Sequence, residues 1–339
     1  MVTFFNYKRY SLSDAQWVGE RLRQISTPNT AFRYPKSAVG SYRMSLTITV
    51  IGLGQMGGNM ALTLKAAGFA VTGSDLFEQA RSRLAAQGLP VVAPEELPAS
   101  DVYLLSLPTS AHVREVIEQS PGLLSLAPKG SVIVDTSTSD PQVSRELAEN
   151  VISAGLQWLD APVSGGPKGA ASGKLGMLLG GDESTIERVL PMLEAMSAKR
   201  THVGGPGSGH VVKLANNYLC AAHLLTTAEA VAMAAKAGVD PAACLAGLNN
   251  GSGRSAVSEV NFPEWVLSER FDSGFTTGLM RKDLRLARDA AEQLDIPSPL
   301  LQAVVDAWHA NPEQPTDSDD FNHITTPILA RASQAEEPS

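Results

Sequence analysis

The chain has 339 residues, a length that suits two domains better than a single hydrophobic core. Its net charge of −8 argues against a general nucleic-acid binder, because phosphate binding needs clustered Lys and Arg. The content of 43% hydrophobic and 18% charged residues excludes a fibrous or a disordered protein.

The sequence contains no stretch of about 18 apolar residues free of charged or amide side chains, so it predicts no membrane span. Cys220 and Cys244 lie in apolar stretches and lack the spacing of a metal site. We expect both thiols to be buried and reduced, which favours a cytoplasmic location. No metal is predicted.

Residues 1–43 differ from the rest of the chain in charge. They hold seven basic residues against two acidic ones, whereas the remainder holds 20 against 33. One interpretation is an organelle transit peptide, and the other is that the protein starts at Met44. We favour the second, because the first predicted strand begins a few residues after Met44, and we leave residues 1–43 out of the predicted fold.

From Thr47 the sequence follows the order strand, glycine turn, helix, strand within about thirty residues. Thr47–Ile51 is a β-branched run, and Ala70–Gly73 predicts the next strand. Between them, a glycine-rich stretch begins a helix and predicts a pyrophosphate site at the helix N-terminus. These predicted cofactor-binding residues are Gly52, Leu53, Gly54, Gln55, Met56 and Gly57.

Asp75 follows the second strand and can accept hydrogen bonds from an adenosine ribose. Its charge would repel a 2′-phosphate, so we expect NAD rather than NADP. Arg81 and Arg83 are close enough in sequence to leave NADP possible.

The alternation of strands and helices continues, which predicts a Rossmann domain with a doubly wound parallel sheet. The predicted strands are 102–105, 132–135 and 157–161, and the helices are 109–117 and 141–154. Ligands of such sheets bind at the carboxyl ends of strands. The loops with Leu107 and Pro108 and with Thr138 are therefore candidates to line the nicotinamide half of the site, and ordinary turn and capping roles are an equal alternative.

Two further stretches predict substrate contacts. Ser164, Gly165 and Gly166 follow a strand and leave backbone N–H groups unobstructed, as a small anion pocket requires, although a flexible glycine loop has the same composition. Farther on, Gly209, Lys213 and Asn217 have the spacing of one helix face. Together they place an amine and an amide beside an opening left by glycine. Taken alone, Lys213 would be an exposed lysine on an ordinary helix.

The rest of the chain predicts an all-α domain. Residues 209–237 form a long helix that is apolar on most faces, and shorter helices continue over 241–310. The predicted domains are a cofactor domain at 44–206, a helical substrate and oligomerisation domain at 207–311, and a disordered acidic tail at 312–339. The long apolar helix favours a homodimer or homotetramer.

Four motifs, taken together, resemble those of the β-hydroxyacid dehydrogenase family. They are IGLGQMGGNMA at 51–61, DAPVSGGPKGAASGKL at 160–175, GSGHVVKLANN at 207–217 and GLMRKDLRLA at 278–287. The resemblance spans about residues 45–312. It implies that Lys213 is the catalytic acid–base, that Ser164, Gly165 and Gly166 bind the substrate carboxylate, and that Asn217 orients the substrate. It also implies that Lys282 contacts the cofactor.

The family resemblance implies an NAD-dependent oxidoreductase that interconverts a small β-hydroxy acid and its semialdehyde, as 3-hydroxyisobutyrate dehydrogenase does. Tartronate or succinic semialdehyde reductase and a threonate-type sugar-acid dehydrogenase are alternatives. An imine reductase and a non-catalytic NAD-binding protein fit less well, because Lys213 is retained. Arg254 could hold a second substrate carboxylate or pair with Glu259, and we favour the pairing.

Overall fold

The structure is a computed structural model that describes residues 46–309 and 315–333. All of these residues belong to one compact unit. The predicted N-terminal extension, residues 1–43, lies outside the described residues.

The first half of the described chain forms a mixed sheet in which β1 to β6 run parallel to one another. The strand order is β3-β2-β1-β4-β5-β6-β8-β7, and β9 pairs with β8. The strands are β1 Thr47–Ile51, β2 Ala70–Ser74, β3 Val91–Val92, β4 Val102–Leu105, β5 Val132–Asp135, β6 Gln157–Asp160, β7 Val163–Ser164, β8 Leu175–Gly181 and β9 Ser197–Gly204.

The central strands are buried along their whole length. All four residues of β4 and of β5 are buried, as expected for parallel strands covered by helices on both faces. The Rossmann prediction is therefore confirmed. An antiparallel edge was not predicted: β8 runs antiparallel to β6 and β7, because the connection from β7 is a single short helix rather than a full crossover.

Seven α-helices and a 3-10 helix at Pro94–Glu96 connect these strands within the described residues. The α-helices are α1 Gln55–Ala66, α2 Glu78–Ala85, α3 Ser110–Glu118, α4 Leu123–Leu126, α5 Pro141–Ser153, α6 Gly166–Ser172 and α7 Glu183–Met196. Thr109 caps α3 by accepting a hydrogen bond from the His112 N–H, and Asp140 caps α5. Thr109 therefore has the ordinary capping role that was one of the two alternatives for its loop.

The long helix α8 covers Ser208–Lys236 and matches the predicted 209–237. Leu214, Leu224 and Val231 are buried, whereas Leu219 and Met233 are 50% and 72% exposed, so the helix has one open apolar face. By length and composition α8 could cross a membrane. Its inner face carries buried charged and amide side chains and packs against the sheet and the helical domain, which is typical of a core helix.

The helical domain packs around α8. Its elements are α9 Pro241–Asn249, a π-helix at Val257–Val266, α10 Thr277–Gln293, α11 Pro299–His309, a 3-10 helix at Phe321–Thr325 and α12 Thr326–Ser333. Phe262, Leu284 and Trp308 are fully buried in its core, together with the α8 residues Leu224 and Ala228.

The prediction of a disordered tail from residue 312 is wrong for residues 315–333. Phe321 and Ile324 are buried in the helical core, and α12 packs along α8. The same segment caps the start of α10: the Thr277 and Gly278 N–H groups donate to the Asp319 and Asp317 carbonyls. The prediction followed the acidic composition, whereas the apolar residues between the acids decide the packing.

Candidate active site

The glycine turn after β1 has the form that a dinucleotide requires. Gly52 has a φ of 92°, and a β-carbon there would lie 2.3 Å from the Ser106 carbonyl oxygen. A β-carbon at Gly57 would lie 1.9 Å from the Gly52 carbonyl oxygen, whereas one at Gly54 would meet open space. Gly54 also precedes α1 without supplying a side-chain cap, so the N–H groups at the start of α1 can receive a pyrophosphate.

Asp75 lies at the end of β2 beside this turn. Its Oδ2 accepts the Leu53 N–H at 2.7 Å, which ties the carboxylate to the glycine turn. Arg81 donates to the carbonyl oxygens of Asp75 and Leu76, and Arg83 donates to the Leu53 carbonyl oxygen. Both guanidinium groups are thus engaged by the backbone, while the Asp75 carboxylate retains lone pairs for a ribose.

The two loops predicted to line the nicotinamide half meet at one place. The Leu107 N–H donates to Ser137 Oγ at 2.9 Å. Lys282, from α10, donates its Nζ to the carbonyl oxygens of Thr138 at 3.0 Å and Pro108 at 3.4 Å. Residues predicted from three separate parts of the chain therefore lie together, and the helical domain contributes a positive charge to them.

The serine–glycine loop lies against α8. Lys213 Nζ donates to Ser164 Oγ at 3.0 Å, so the predicted catalytic amine and the predicted carboxylate-binding hydroxyl are in direct contact. Gly165 and Gly166 have φ values of 115° and 60°, which only glycine adopts without strain, and they form the turn into α6.

Lys213 is 6% exposed and lies in a group of charged and polar side chains. Asn217, one turn along α8, donates to Asp283 Oδ2 at 2.6 Å, and Asp283 Oδ1 lies 3.2 Å from Lys282 Nζ. Burial lowers the pKa of Lys213, and the Lys282 charge lowers it further, against the opposing effect of Asp283. The amine is thereby brought closer to the pKa range of a general base.

Sequence reasoning missed Asp283 and misjudged Gly209. Asp283 follows Lys282 in the motif at 278–287 and is 2% exposed, and a charged residue at a core-facing helical spacing was the available signal. Gly209 was expected to leave room beside the lysine. A β-carbon there would instead lie 2.6 Å from the Leu178 carbonyl oxygen. The glycine is therefore needed so that strand β8 can pack closely against the helix. Arg254 is exposed, and its Nε lies 3.7 Å from Glu259 Oε1.

Comparison with known proteins matches both parts of the chain to NAD-binding domains. Residues 47–204 match the NAD-binding domain of 6-phosphogluconate dehydrogenase, and residues 207–328 match the NAD-binding domain of NADP-dependent 3-hydroxyisobutyrate dehydrogenase. The chain is 36% identical over 250 residues to 2-hydroxy-3-oxopropionate reductase of Escherichia coli, which covers 74% of this chain and 85% of that protein. The chain belongs to the β-hydroxyacid dehydrogenase family.

Other members of the family agree with this assignment. The chain is 35% identical over 258 residues to 2-(hydroxymethyl)glutarate dehydrogenase of Eubacterium barkeri, covering 76% of this chain and 86% of that one. The solved structure of Mycobacterium tuberculosis 3-hydroxyisobutyrate dehydrogenase with L-serine superposes with a TM-score of 0.77 at 34% identity, over 84% of this chain and 99% of that chain. The protein is therefore an NAD(P)-dependent hydroxyacid dehydrogenase.

Proposed function

We propose that the protein interconverts a small β-hydroxy acid and its semialdehyde, with Lys213 as the general acid–base. The observation that carries the proposal is the buried Lys213 amine, whose Nζ lies 3.0 Å from Ser164 Oγ. An amine in that position is held against the predicted carboxylate loop, so a bound hydroxy acid would place its hydroxyl within reach of the same amine.

Each residue has one task in this mechanism. Ser164 and the N–H groups of Gly165 and Gly166 bind the substrate carboxylate. Asn217 orients the hydroxyl, and neutral Lys213 accepts its proton when the alcohol is oxidised. The bound nicotinamide supplies the hydride acceptor. In the reducing direction, protonated Lys213 returns the proton to the carbonyl oxygen.

The cofactor site favours NAD over NADP. Asp75 places a negative charge where a ribose 2′-phosphate would lie, and the guanidinium groups of Arg81 and Arg83 are engaged by backbone carbonyl oxygens rather than free to bind a phosphate. The residues proposed to contact the rest of the cofactor are the glycine turn at 52–57, Leu107, Pro108, Thr138 and Lys282.

A substrate with one carboxylate fits the site best. The serine–glycine loop provides one anion site, and Arg254 faces Glu259. 3-Hydroxyisobutyrate, with tartronate semialdehyde as the second candidate, has the required single carboxylate, and the relative in Escherichia coli is named a reductase of 2-hydroxy-3-oxopropionate. Lys213 argues against imine reduction and against a role in NAD binding alone.

The test is reduction of NAD⁺ and NADP⁺ by the purified protein with a panel of C3 and C4 hydroxy acids, beside the Lys213→Met variant. We expect turnover with NAD⁺ on a monocarboxylate and a loss of kcat of about 10³-fold in the variant, since removing a general base typically has that effect. Near-normal turnover by Lys213→Met would refute the role of Lys213.

The same variant has a built-in control for folding. Burial lowers the pKa of the Lys213 amine, so carrying the proton at neutral pH disfavours the folded state. The free energy of unfolding should therefore rise with pH, up to the pKa of an ordinary lysine. Replacing the amine by the apolar Met side chain removes that cost. Lys213→Met should therefore have a melting temperature equal to or above that of the wild type while it loses activity.

We further propose a cytoplasmic homodimer or homotetramer. The open apolar face of α8, with Leu219 and Met233, is the surface that favours assembly. Both cysteines are free thiols, in keeping with a reducing compartment. The boundary between the two domains, between residues 206 and 207, stays a prediction.

A further inference from the structure

Two buried acids lie side by side under the first turn of α8. Asp135 ends β5 and Asp160 ends β6, and the register of these strands places the two residues opposite each other. Both carboxyl groups and the His210 imidazole are shielded from solvent. None of the three has a role in the mechanism above.

Asp160 fixes the start of α8. Its carboxylate accepts the N–H groups of Gly207 at 2.7 Å, Gly209 at 2.8 Å and His210 at 3.3 Å. No side chain within α8 caps its N-terminus, so a residue of the sheet supplies this cap. A β-carbon at Gly180 would lie 2.4 Å from the same carboxylate, which shows how closely the backbone surrounds it.

Asp135 joins the helix to the loop after β5. Its Oδ1 accepts the Ser137 N–H at 2.9 Å, and its Oδ2 accepts the Ser139 hydroxyl at 3.0 Å and lies 3.3 Å from His210 Nε2. Burial opposes ionisation of Asp135, but the contacts with His210 and Ser137 leave its pKa below the ordinary value. Asp135 therefore holds the loop after β5 by two hydrogen bonds and lies in contact with the imidazole.

This arrangement is costly if its only role is stability. Two buried acids and a buried imidazole must be desolvated, and apolar residues of similar volume often stabilise a core equally well. The contacts instead connect two parts of the site. Lys213 follows His210 by three residues on α8, and Thr138, between Ser137 and Ser139, accepts a hydrogen bond from Lys282.

We propose that His210 is a positioning residue for hydride transfer. Its backbone N–H contacts Asp160 and its imidazole contacts Asp135, so the first turn of α8, and with it Lys213, is held at a fixed distance from the loop at 136–139. This inference rests on the proposed function, in which Lys213 moves the proton and that loop faces the nicotinamide.

The test compares His210→Leu, which keeps the volume without a polar group, with His210→Gln, whose amide can reach the place of Nε2. The readouts are kcat, the Kd for NAD⁺, and the primary deuterium isotope effect on kcat with substrate deuterated at the carbinol carbon. We expect His210→Leu to lower kcat by about tenfold or more and to raise the isotope effect, because a displaced amine slows the chemical step. The Kd for NAD⁺ should stay within about threefold, and His210→Gln should recover most of the loss.

A control separates positioning from loss of stability. Leu123→Ala opens a cavity in the core of the sheet domain outside the site and lowers the melting temperature. It should leave the isotope effect unchanged. The inference is overturned if His210→Leu has the kcat and isotope effect of the wild type, or if His210→Leu and Leu123→Ala alter the kinetics alike.

If His210→Leu does not fold, Asp160→Asn replaces it. The amide keeps the size but replaces one acceptor oxygen by an NH₂ donor that faces a backbone N–H group, so hydrogen exchange at the amides of 207–210 should speed up while kcat falls and the isotope effect rises. Unchanged exchange or unchanged kcat would overturn the inference. A Lys213→Met variant with near-normal turnover would instead refute the proposed function, whereas an inactive Lys213→Met beside a normal His210→Leu would refute this inference alone.

Discussion

The two ends of α8 have the same secondary structure but different requirements. At the N-terminal end, His210, Lys213 and Asn217 are buried polar side chains that contact named partners in the sheet or in α10. At the C-terminal end the inner face is apolar core, and the outer face exposes Met233. The side chains at the first end are constrained by contacts with other elements, whereas those at the second end are constrained only by the apolar area that they bury. Substitutions should therefore be tolerated far better at the second end than at the first.

The largest expected difference is between alanine substitutions of the glycines at the two ends of α8. Gly209→Ala should destabilise the fold by about 2–3 kcal/mol and abolish most activity, because the new methyl group would collide with the Leu178 carbonyl oxygen and the Asp160 carboxylate. Gly238→Ala should cost only about 1 kcal/mol, because Gly238 has a φ of 83° but nothing within 4 Å of an added β-carbon.

Urea unfolding and turnover of both variants measure this contrast. If the two alanine variants lose stability equally, or if Gly209→Ala remains fully active, the two ends do not differ as described.

A second, intermediate effect concerns pH. Oxidation needs neutral Lys213, so kcat/KM should rise with pH through the pKa of this amine. The Lys282 charge lowers that pKa and Asp283 raises it, as does Cys220 on the same helix. Lys282→Met should therefore move the rise to higher pH, and Asp283→Asn to lower pH, each by about one pH unit.

The pH dependence of kcat/KM, measured with saturating NAD⁺, tests the direction of these two shifts. A shift in the same direction for both variants would mean that Lys213 is not the group that titrates.

The smallest expected effect on stability is at the outer face of α8. Leu219→Arg with Met233→Arg should change the stability of the subunit by less than about 0.5 kcal/mol, because both side chains are exposed. The same pair should dissociate the proposed oligomer. Light scattering of the double variant, with the exposed Leu300→Arg as the matched control, measures the mass. Dissociation by the control instead would place the interface elsewhere.

Local patterns predicted the parts of the fold that local chemistry dictates. The glycines at 52–57, the acid at 75 and the limits of α8 follow from turn geometry, strand ends and apolar spacing, and the structure has the turn, the strand end and the helix in those places. The antiparallel edge around β8 depends on how a short helix returns the chain, which no periodicity in the sequence indicates.

The site was predicted unevenly for the same reason. The residues around Ser164 and Lys213 predicted substrate contacts by themselves, but only the family resemblance gave Lys213 its catalytic role, since a single lysine has an exposed position as its usual explanation. The contacts of Asp283 with Asn217 and of His210 with Asp135 join residues 66 and 75 positions apart. Such pairs depend on tertiary packing, which the local sequence around either residue does not determine.

The segment at 315–325 has a consequence for synthesis on the ribosome. Asp317 and Asp319 satisfy the first N–H groups of α10, and Arg281 on that helix binds Asp317. The chain that carries Lys282 and Asp283 is therefore made before the segment that caps its helix. A nascent chain can form its glycine turn and sheet early, but the cap of α10 is completed only when residues 315–325 leave the exit tunnel. The contacts that cap the helix carrying Lys282 and Asp283 can therefore form only after residues 315–325 have been synthesised.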